Sequence, residues 1–595
     1  MKTAQYIGIG LFITALLIFT AMLGIGHQQL TESTLQIDNS YHKAAILKAA
    51  SDEGLFNEKM STISFIPKIK KVLKAAAKDL ESKAQSGIPD GVGEWDFKLG
   101  DWKISEYAGA LVSSTAQGPV QDKPWLFLFL TFGLAIIGGL LFILPKFTEQ
   151  AGIKNNGIYH HPLTRGLKFN TKMMFLIPTI LGVLIWGFIY QNNLFWPLVT
   201  LVIAGLITYL VFFREQSKDN NPQRNSCPVH TGWLGLIAGT YLIGFYVLLY
   251  WAPVYINNWI TMVSPISEML SGDASSRWFL YGLMYSVIVI VMGIRMMSKY
   301  MHNKYQRIRT MSVMFFQTAI AFLLPEILVR LNQPYYDFKN IWPLDYDFFF
   351  SYNLESLMSS GGMGIFMLVW GIMLIIVGVP VITYFYGKRW YCSWVCGCGG
   401  LAETMGDPFR QLSDKSMRAW KYERYIIHGV LVAAVVMTAF VLVHYFTGMN
   451  SILGISSDGI KSWYGFLIGA GFSGVVGTGF YPIMGNRTWC RFGCPLAAYL
   501  GLVQKYKSRF RITTNGGQCI SCGNCSTYCE MGIDVRAYAQ KGQDIVRSSC
   551  VGCGVCSAVC PRGVLRLENA SGDIAERTEA LRTIHITEDQ VTLLS

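Results

Sequence analysis

The stretches CISCGNCSTYC (519–529) and CVGCGVCSAVCP (550–561) place eight cysteines in two runs of identical spacing, Cys-x2-Cys-x2-Cys-x3-Cys. Three closely spaced thiolates on a loop hold three corners of an iron–sulfur cubane, and the fourth, one helical turn on, points across to the neighbouring cluster. On that rule Cys519, Cys522, Cys525 and Cys560 hold one 4Fe-4S cluster, and Cys550, Cys553, Cys556 and Cys529 hold a second. Two-by-two cysteine spacings also make zinc sites, but eight thiols in matched runs, the second closing on Cys560-Pro561, favour iron and sulfide. Gly523, Gly552 and Gly554 let the backbone fold close to the inorganic cores. Cys529 precedes Glu530 rather than a proline, and a carboxylate there would lower the potential of the adjacent cluster. Residues 511–568 are therefore expected to form a small α+β two-cluster ferredoxin-like domain of the bacterial type, with 569–595 as a tail.

The chain as a whole is of a different kind: of its 595 residues 52% are apolar, 15% are charged and the mean hydropathy is +0.34. That composition belongs to a polytopic α-helical membrane protein. Runs of roughly 20 apolar residues, enough to span a bilayer, are expected at 6–26, 125–144, 173–190, 194–213, 232–252, 278–296, 312–329, 364–386, 425–446 and 464–484. These ten spans divide the chain into a transmembrane anchor (1–26), a soluble segment (27–123), a first membrane region (124–360) and a second (361–510). Clustering of 13 of the 14 cysteines, with Cys227 alone, speaks for metal in a reducing compartment rather than a disulfide framework.

Lys and Arg near span ends mark the cytoplasmic side. Lys146, Lys154, Arg165 and Lys168, then Arg214 and Lys218, then Lys299, Lys304, Arg307 and Arg309, then Lys388, Arg389, Lys415 and Arg424, alternate with loops bearing Asp273, Asp337, Asp345, Asp347, Glu355 and Asp458. Both termini and the clusters are thus expected in the cytoplasm of a bacterial inner membrane, and 27–123 in the periplasm. The net charge of +13 is accounted for by these loops, so nucleic acid is not an expected partner. Within 27–123, Phe65 to Ala84 sets Lys68, Lys70, Lys71, Lys74 and Lys78 among apolar residues and reads as an amphipathic helix packed on a soluble core. The first apolar run follows Lys2 and shows no small-residue cleavage site, so an anchor is preferred to a signal peptide.

Two more motifs read as copies of each other: KRWYCSWVCGCGGLAE, with Cys392, Cys396 and Cys398, and NRTWCRFGCPLAAYLG, with Cys490 and Cys494 before Pro495. Each follows a span. If each Cys-x3-Cys pair lay on one helix, its sulfurs would share a face, and two copies brought together would offer four thiolates for a third metal or cluster at the membrane rim. The alternative is buried thiols packed in aromatic helix ends, with Arg389 and Arg491 reaching for the surface. Paired Cys-x3-Cys motifs after spans, followed by a two-cluster ferredoxin domain, resemble the NosR/NapH-type membrane polyferredoxins, quinol dehydrogenase membrane subunits of respiratory systems. The resemblance covers about residues 365–565; Cys494-Pro495 follows the family pattern, whereas Cys396 is followed by Gly397 and an added Cys398.

Haem finds no support: there is no Cys-x-x-Cys-His, and His428 and His444 stand near opposite ends of one predicted helix. His160, His161, His230 and His302 fall in loops, and Glu326, a carboxylate within the seventh expected span, is a candidate for proton transfer or a capped hydrogen bond. The resemblance implies single-electron transfer between a cytoplasmic donor or the quinone pool and a respiratory partner subunit. A redox maturation factor for another metalloenzyme, and a membrane redox sensor, are the alternative readings.

Overall fold

A computed structural model describes residues 2–86, 93, 97–145, 233–449, 451–452, 454–515, 518–569, 583–587 and 590–594. The described chain is mostly helical. Six helices are long and apolar enough to cross a membrane: Thr3–Ala21, Pro124–Ile143, Arg277–Lys299, Lys304–Arg330, Gly361–Tyr386 and Met417–Thr447. A seventh is reached if Ile237–Trp251 and Pro253–Leu270, bent by 107°, count as one span. The expectation of ten is therefore not met among the described residues. The expected spans 173–190 and 194–213 lie outside them. The expected span 464–484 is broken: Ser457–Tyr464 runs into wide π-type turns over Gly465–Val476 and stops before a short turn at Tyr481–Met484. Glycines at 465, 469, 471, 474, 477 and 479 weaken helix continuation there.

The chain divides into two compact units. In the first, Thr3–Ala21 packs against Pro124–Ile143 through Gly8 and Gly138; a Cβ at Gly8 would lie 2.5 Å from Gly138 O, and one at Gly138 2.6 Å from Gly8 O. Close backbone approach at small residues is how helices associate in lipid. Between these helices stand Ser40–Asp52, Thr62–Ser86 and Asp101–Thr115, with His27–Gln29 as the central strand between Lys59–Met60 and Ala116–Gln117. Helix Thr62–Ser86 buries Phe65, Ile66, Ile69, Val72, Leu73, Ala76 and Leu80 at three- and four-residue spacing. Its apolar face covers a protein core, and its lysines remain outside.

The second unit contains Lys304–Arg330, Gly361–Tyr386, Met417–Thr447 and the C-terminal cysteine runs. Met417–Thr447 is started by Ser416, whose Oγ accepts from Ala419 N, and stopped by Gly448 at φ +71°. Strand Arg511–Thr514 pairs antiparallel with Leu565–Glu568, with Arg511 opposite Glu568 and Thr514 opposite Leu565. The pairing closes the two cysteine runs into one small domain, in which short helices Asn524–Thr527 and Val555–Ala558 each follow a Cys-x2-Cys loop.

Candidate functional site

Each short helix in the C-terminal domain is entered through a glycine in the left-handed region, Gly523 at φ +80° and Gly554 at +73°. This conformation turns the loop back on itself and is open to glycine without strain. Two cavities result. One is lined by Cys519, Cys522, Cys525 and Cys560, the other by Cys529, Cys550, Cys553 and Cys556. Each has about 360 Å³ of space, part of it open to solvent, so the two are matched in size as well as in the four cysteines that line them. The fourth cysteine of each run thus faces the cavity of the other. Four soft thiolates per cavity suit an iron–sulfur cluster. Burial pushes the thiols up, Cys525 and Cys553 to about 12 and Cys550 to about 11, so loading the cavities releases protons.

The second cavity is held by donors from outside the ferredoxin domain. Tyr305 Oη donates to Gly552 O at 3.0 Å, Gln306 Nε2 to Cys553 O at 2.8 Å and Ser393 Oγ to Val551 O at 2.7 Å. Gln504 Nε2 adds a bond to Cys550 O at 2.8 Å. Every carbonyl from Cys550 to Cys553 therefore has a fixed donor.

Cys392, Cys396, Cys490 and Cys494 are all buried within one apolar cluster, with Cys398 half-buried at its edge. The two motifs are built alike, though not as continuous helices. Cys392 ends the turn Arg389–Cys392, and Cys396 is the extended N-cap of Gly397–Thr404. Cys490 lies in the wide turn Trp489–Gly493, and Cys494 is the extended N-cap of Pro495–Lys507. In both, the N–H of the second cysteine bonds five residues back, Cys396 to Tyr391 O at 2.8 Å and Cys494 to Trp489 O at 2.9 Å. The pairs converge through matching turns rather than a shared helix face, and their thiols are close enough to act on one another electrostatically.

Between this site and the second cavity runs a buried ion-pair network. Arg487 pairs with both Glu403 and Glu530, Arg309 pairs with Glu403, and Arg410 reaches Glu530 at 2.9 Å and Asp407 at 3.2 Å. Asp407 also takes Arg295 at 3.0 Å and Lys299 at 2.8 Å. Five cations thus meet three carboxylates, and the excess positive charge faces Cys553 and Cys490. Burial alone would push Glu530 up, yet Arg410, Arg487, Arg309 and the Asn486 amide outweigh it and hold the carboxyl below its usual range. Glu403, Glu530 and Cys553 place ligand atoms within 4.8 Å of one another. Two arginines already on each carboxylate make that trio an ion-pair hub rather than a metal site.

Comparison with known proteins adds the cofactor. The sequence model for a 4Fe-4S dicluster domain matches residues 511–561, and that for a 4Fe-4S binding domain matches 369–416 and 464–513, the two membrane motifs. The chain carries ferredoxin-type 4Fe-4S domains. It is 28% identical over 171 residues to YccM of Escherichia coli (strain K12), named provisionally for electron transport, covering 27% of this chain and 47% of that protein. It is 27% identical to the methylamine utilization ferredoxin-type protein MauN of Methylobacillus flagellatus, over 26% of this chain and 53% of the relative. MauN of Paracoccus denitrificans is also 27% identical, over 29% and 60%. The chain thus spans about half the length of the curated relatives it matches. No solved structure matches it. This distant homology, with the apolar helices, fits a membrane iron–sulfur protein of electron transport.

Several expected residues stand elsewhere. Arg491 does not reach for the surface: it is buried, its Nε donating to Glu423 Oε2 at 2.7 Å. Arg389 lies over the Phe510 ring and donates to Asn569. His428 and His444 bond the nearby carbonyls of Arg424 and Met449, and Glu326 is buried in its helix. Cys227, His160, His161 and His230 lie outside the described residues. The sequence singles out Glu530 beside Cys529 for its charge but gives no sign of Glu403, of the arginine pairs on either carboxylate, or of the contact of Arg487 with Cys490, beyond the repeat that aligns Arg389 with Arg487.

Proposed function

We propose that this protein moves single electrons between a cytoplasmic donor or the quinone pool and a respiratory partner. Two 4Fe-4S clusters would be held by Cys519, Cys522, Cys525 and Cys560 and by Cys529, Cys550, Cys553 and Cys556, with a third thiolate site at Cys392, Cys396, Cys490 and Cys494. When bound, such clusters take up and release one electron at a time. The observation that carries the reading is the convergence of the two membrane motifs in one buried cluster that also contains Cys525, Cys550 and Cys556. Electron donors and acceptors at the two places would then share one rigid protein interior.

The residues between them favour transfer. Arg487, Arg410 and Arg309 lower the cost of adding negative charge at either place, because buried cations interact strongly with nearby charge. The fixed carbonyls of 550–553 hold the second ligand loop in one geometry, which limits reorganisation when its charge changes. The proposed orientation puts the ferredoxin domain in the cytoplasm, and quinone is the small-molecule partner this reading expects. The test is electron paramagnetic resonance of anaerobically purified full-length protein during a quinol titration. Cluster signals that appear as quinol is added support the reading. Clusters that respond to dithionite but ignore quinol would remove the quinone pool as a partner.

A further inference from the structure

Gln317 stands at the midpoint of Lys304–Arg330, a helix of 27 residues. At 1.5 Å per residue this helix is about 40 Å long. The ferredoxin domain is held at its first turn, through Tyr305 and Gln306. From that end the Cys396–Cys398 segment reaches the midpoint: Ser312 Oγ donates to Trp394 O at 3.0 Å, and a Cβ at Gly397 would sit 2.6 Å from Gln317 Oε1. The segment lies deeper than the rim expected from sequence.

The connection 331–350 comes from the other end, and it folds inward. Phe338 O accepts from Trp370 Nε1 at 3.2 Å, well inside Gly361–Tyr386, and Trp342 Nε1 donates to Thr438 Oγ1 at 3.0 Å, well inside Met417–Thr447. Ile341 and Leu344 join the same apolar cluster as the four membrane cysteines. Lys339 is carried in with them, its side chain only 11% exposed and paired with Asp337 at 3.2 Å. Its Nζ lies 3.6 Å from the point where Gly397 would carry a Cβ. Lys339 acts electrostatically on the thiols of both Cys396 and Cys398.

We propose that Lys339 is the counter-charge of the membrane cysteine site, and that Gln317 and the missing Cβ of Gly397 set its approach. The site is then closed by two walls from opposite ends of the bundle, and it is complete only with 331–350 folded in. Burying an ammonium is costly and Asp337 alone offsets only part of that cost. A lysine has three donors; Asp337 takes one, and Nζ stands beside Gly397, which lies between Cys396 and Cys398 in the chain, where thiolates and any cluster they hold would carry negative charge. This inference rests on the reading that the four membrane cysteines hold a cluster. Lys339 is a positioning residue in it, acting through charge rather than as a ligand.

The test is an anaerobic redox titration of the full-length loaded protein, following the membrane-site signal, with the ferredoxin signals as internal reference. Lys339→Met is expected to shift the membrane-site signal to lower potential with ferredoxin potentials and iron content unchanged, and Lys339→Arg to restore it. An unmoved membrane signal, or one moved together with the ferredoxin signals, overturns the proposal. Should Lys339→Met fail to accumulate, Lys339→Gln removes the charge while keeping a polar side chain. It is expected to lower the membrane-site potential alone, and an unmoved membrane-site potential counts against the proposal. A wild-type protein with no iron beyond the ferredoxin clusters removes the underlying reading, a result distinct from a third signal that ignores Lys339.

Discussion

Arg487 Nε lies 3.0 Å from Glu530 Oε1, while its Nη1 lies 3.5 Å from Cys490 Sγ. One guanidinium therefore touches a membrane cysteine and the residue that follows Cys529. Nη1 also donates to Cys392 O at 3.1 Å, so both membrane motifs are fastened to it. Arg487→Met should leave Glu403 and Glu530 buried with a partner lost, a change that costs about 3–5 kcal/mol in such pairs. Thermal unfolding should show that loss, and redox titration should show signals from both places moved to lower potential. Arg487→Lys should recover part of the stability, since a point charge cannot span the same acceptors.

The three cations on Asp407 make a prediction about pH. Burial on its own pushes the Asp407 carboxyl up, but Lys299, Arg295 and Arg410 outweigh it and hold it well below the usual carboxylate range. A depressed folded pKa means that its stabilisation is fully present above the unfolded value, about 3.9, and is lost only as pH falls toward the folded value. Between pH 5 and 7 these ion pairs should contribute a constant amount. Asp407→Asn should lower the melting temperature by a similar amount at each pH in that window; a difference that vanishes at pH 5 would contradict the assignment.

Gln306 and Tyr305 separate the two ferredoxin cavities experimentally, because both bond only the 550–553 loop among the cluster loops. Gln306→Leu leaves the Cys553 carbonyl without its donor, a cost of about 1–3 kcal/mol when buried. The signal assigned to the second cluster should broaden or shift, with that of the first unchanged. Equal change in both would contradict the cavity assignment.

The exchange of fourth ligands between runs is checked with Cys529→Ser and Cys560→Ser. Cys529→Ser should disturb the cluster bound by the second run, and Cys560→Ser the cluster bound by the first. Disturbance of the cluster in the variant's own run would show that each run closes on itself.

What could be read from the sequence was local. The grouping of the cysteines around the two ferredoxin cavities follows from a fixed spacing, and the core face of Thr62–Ser86 from its apolar period. The closeness of the membrane motifs was suggested by their repeat, but their geometry was not, because the turn between Cys392 and Cys396 breaks the helix that an i, i+4 reading assumes. The ion-pair network was illegible for a different reason. Its members, from Arg295 to Glu530, are brought together by tertiary packing alone, and basic residues such as Arg309 looked like membrane-end charges. The run YYDFKN (335–340) reads as a polar loop, and only the bonds of Phe338 and Trp342 show that it folds inward.

Iron and acid-labile sulfide per chain, measured on anaerobically purified protein beside a Cys490→Ser/Cys494→Ser variant, test the central claim most directly. The account predicts more than the eight irons of two 4Fe-4S clusters in the wild type, and a return to eight in the variant with both ferredoxin signals kept. Eight irons in both proteins would contradict a cluster at the membrane cysteines.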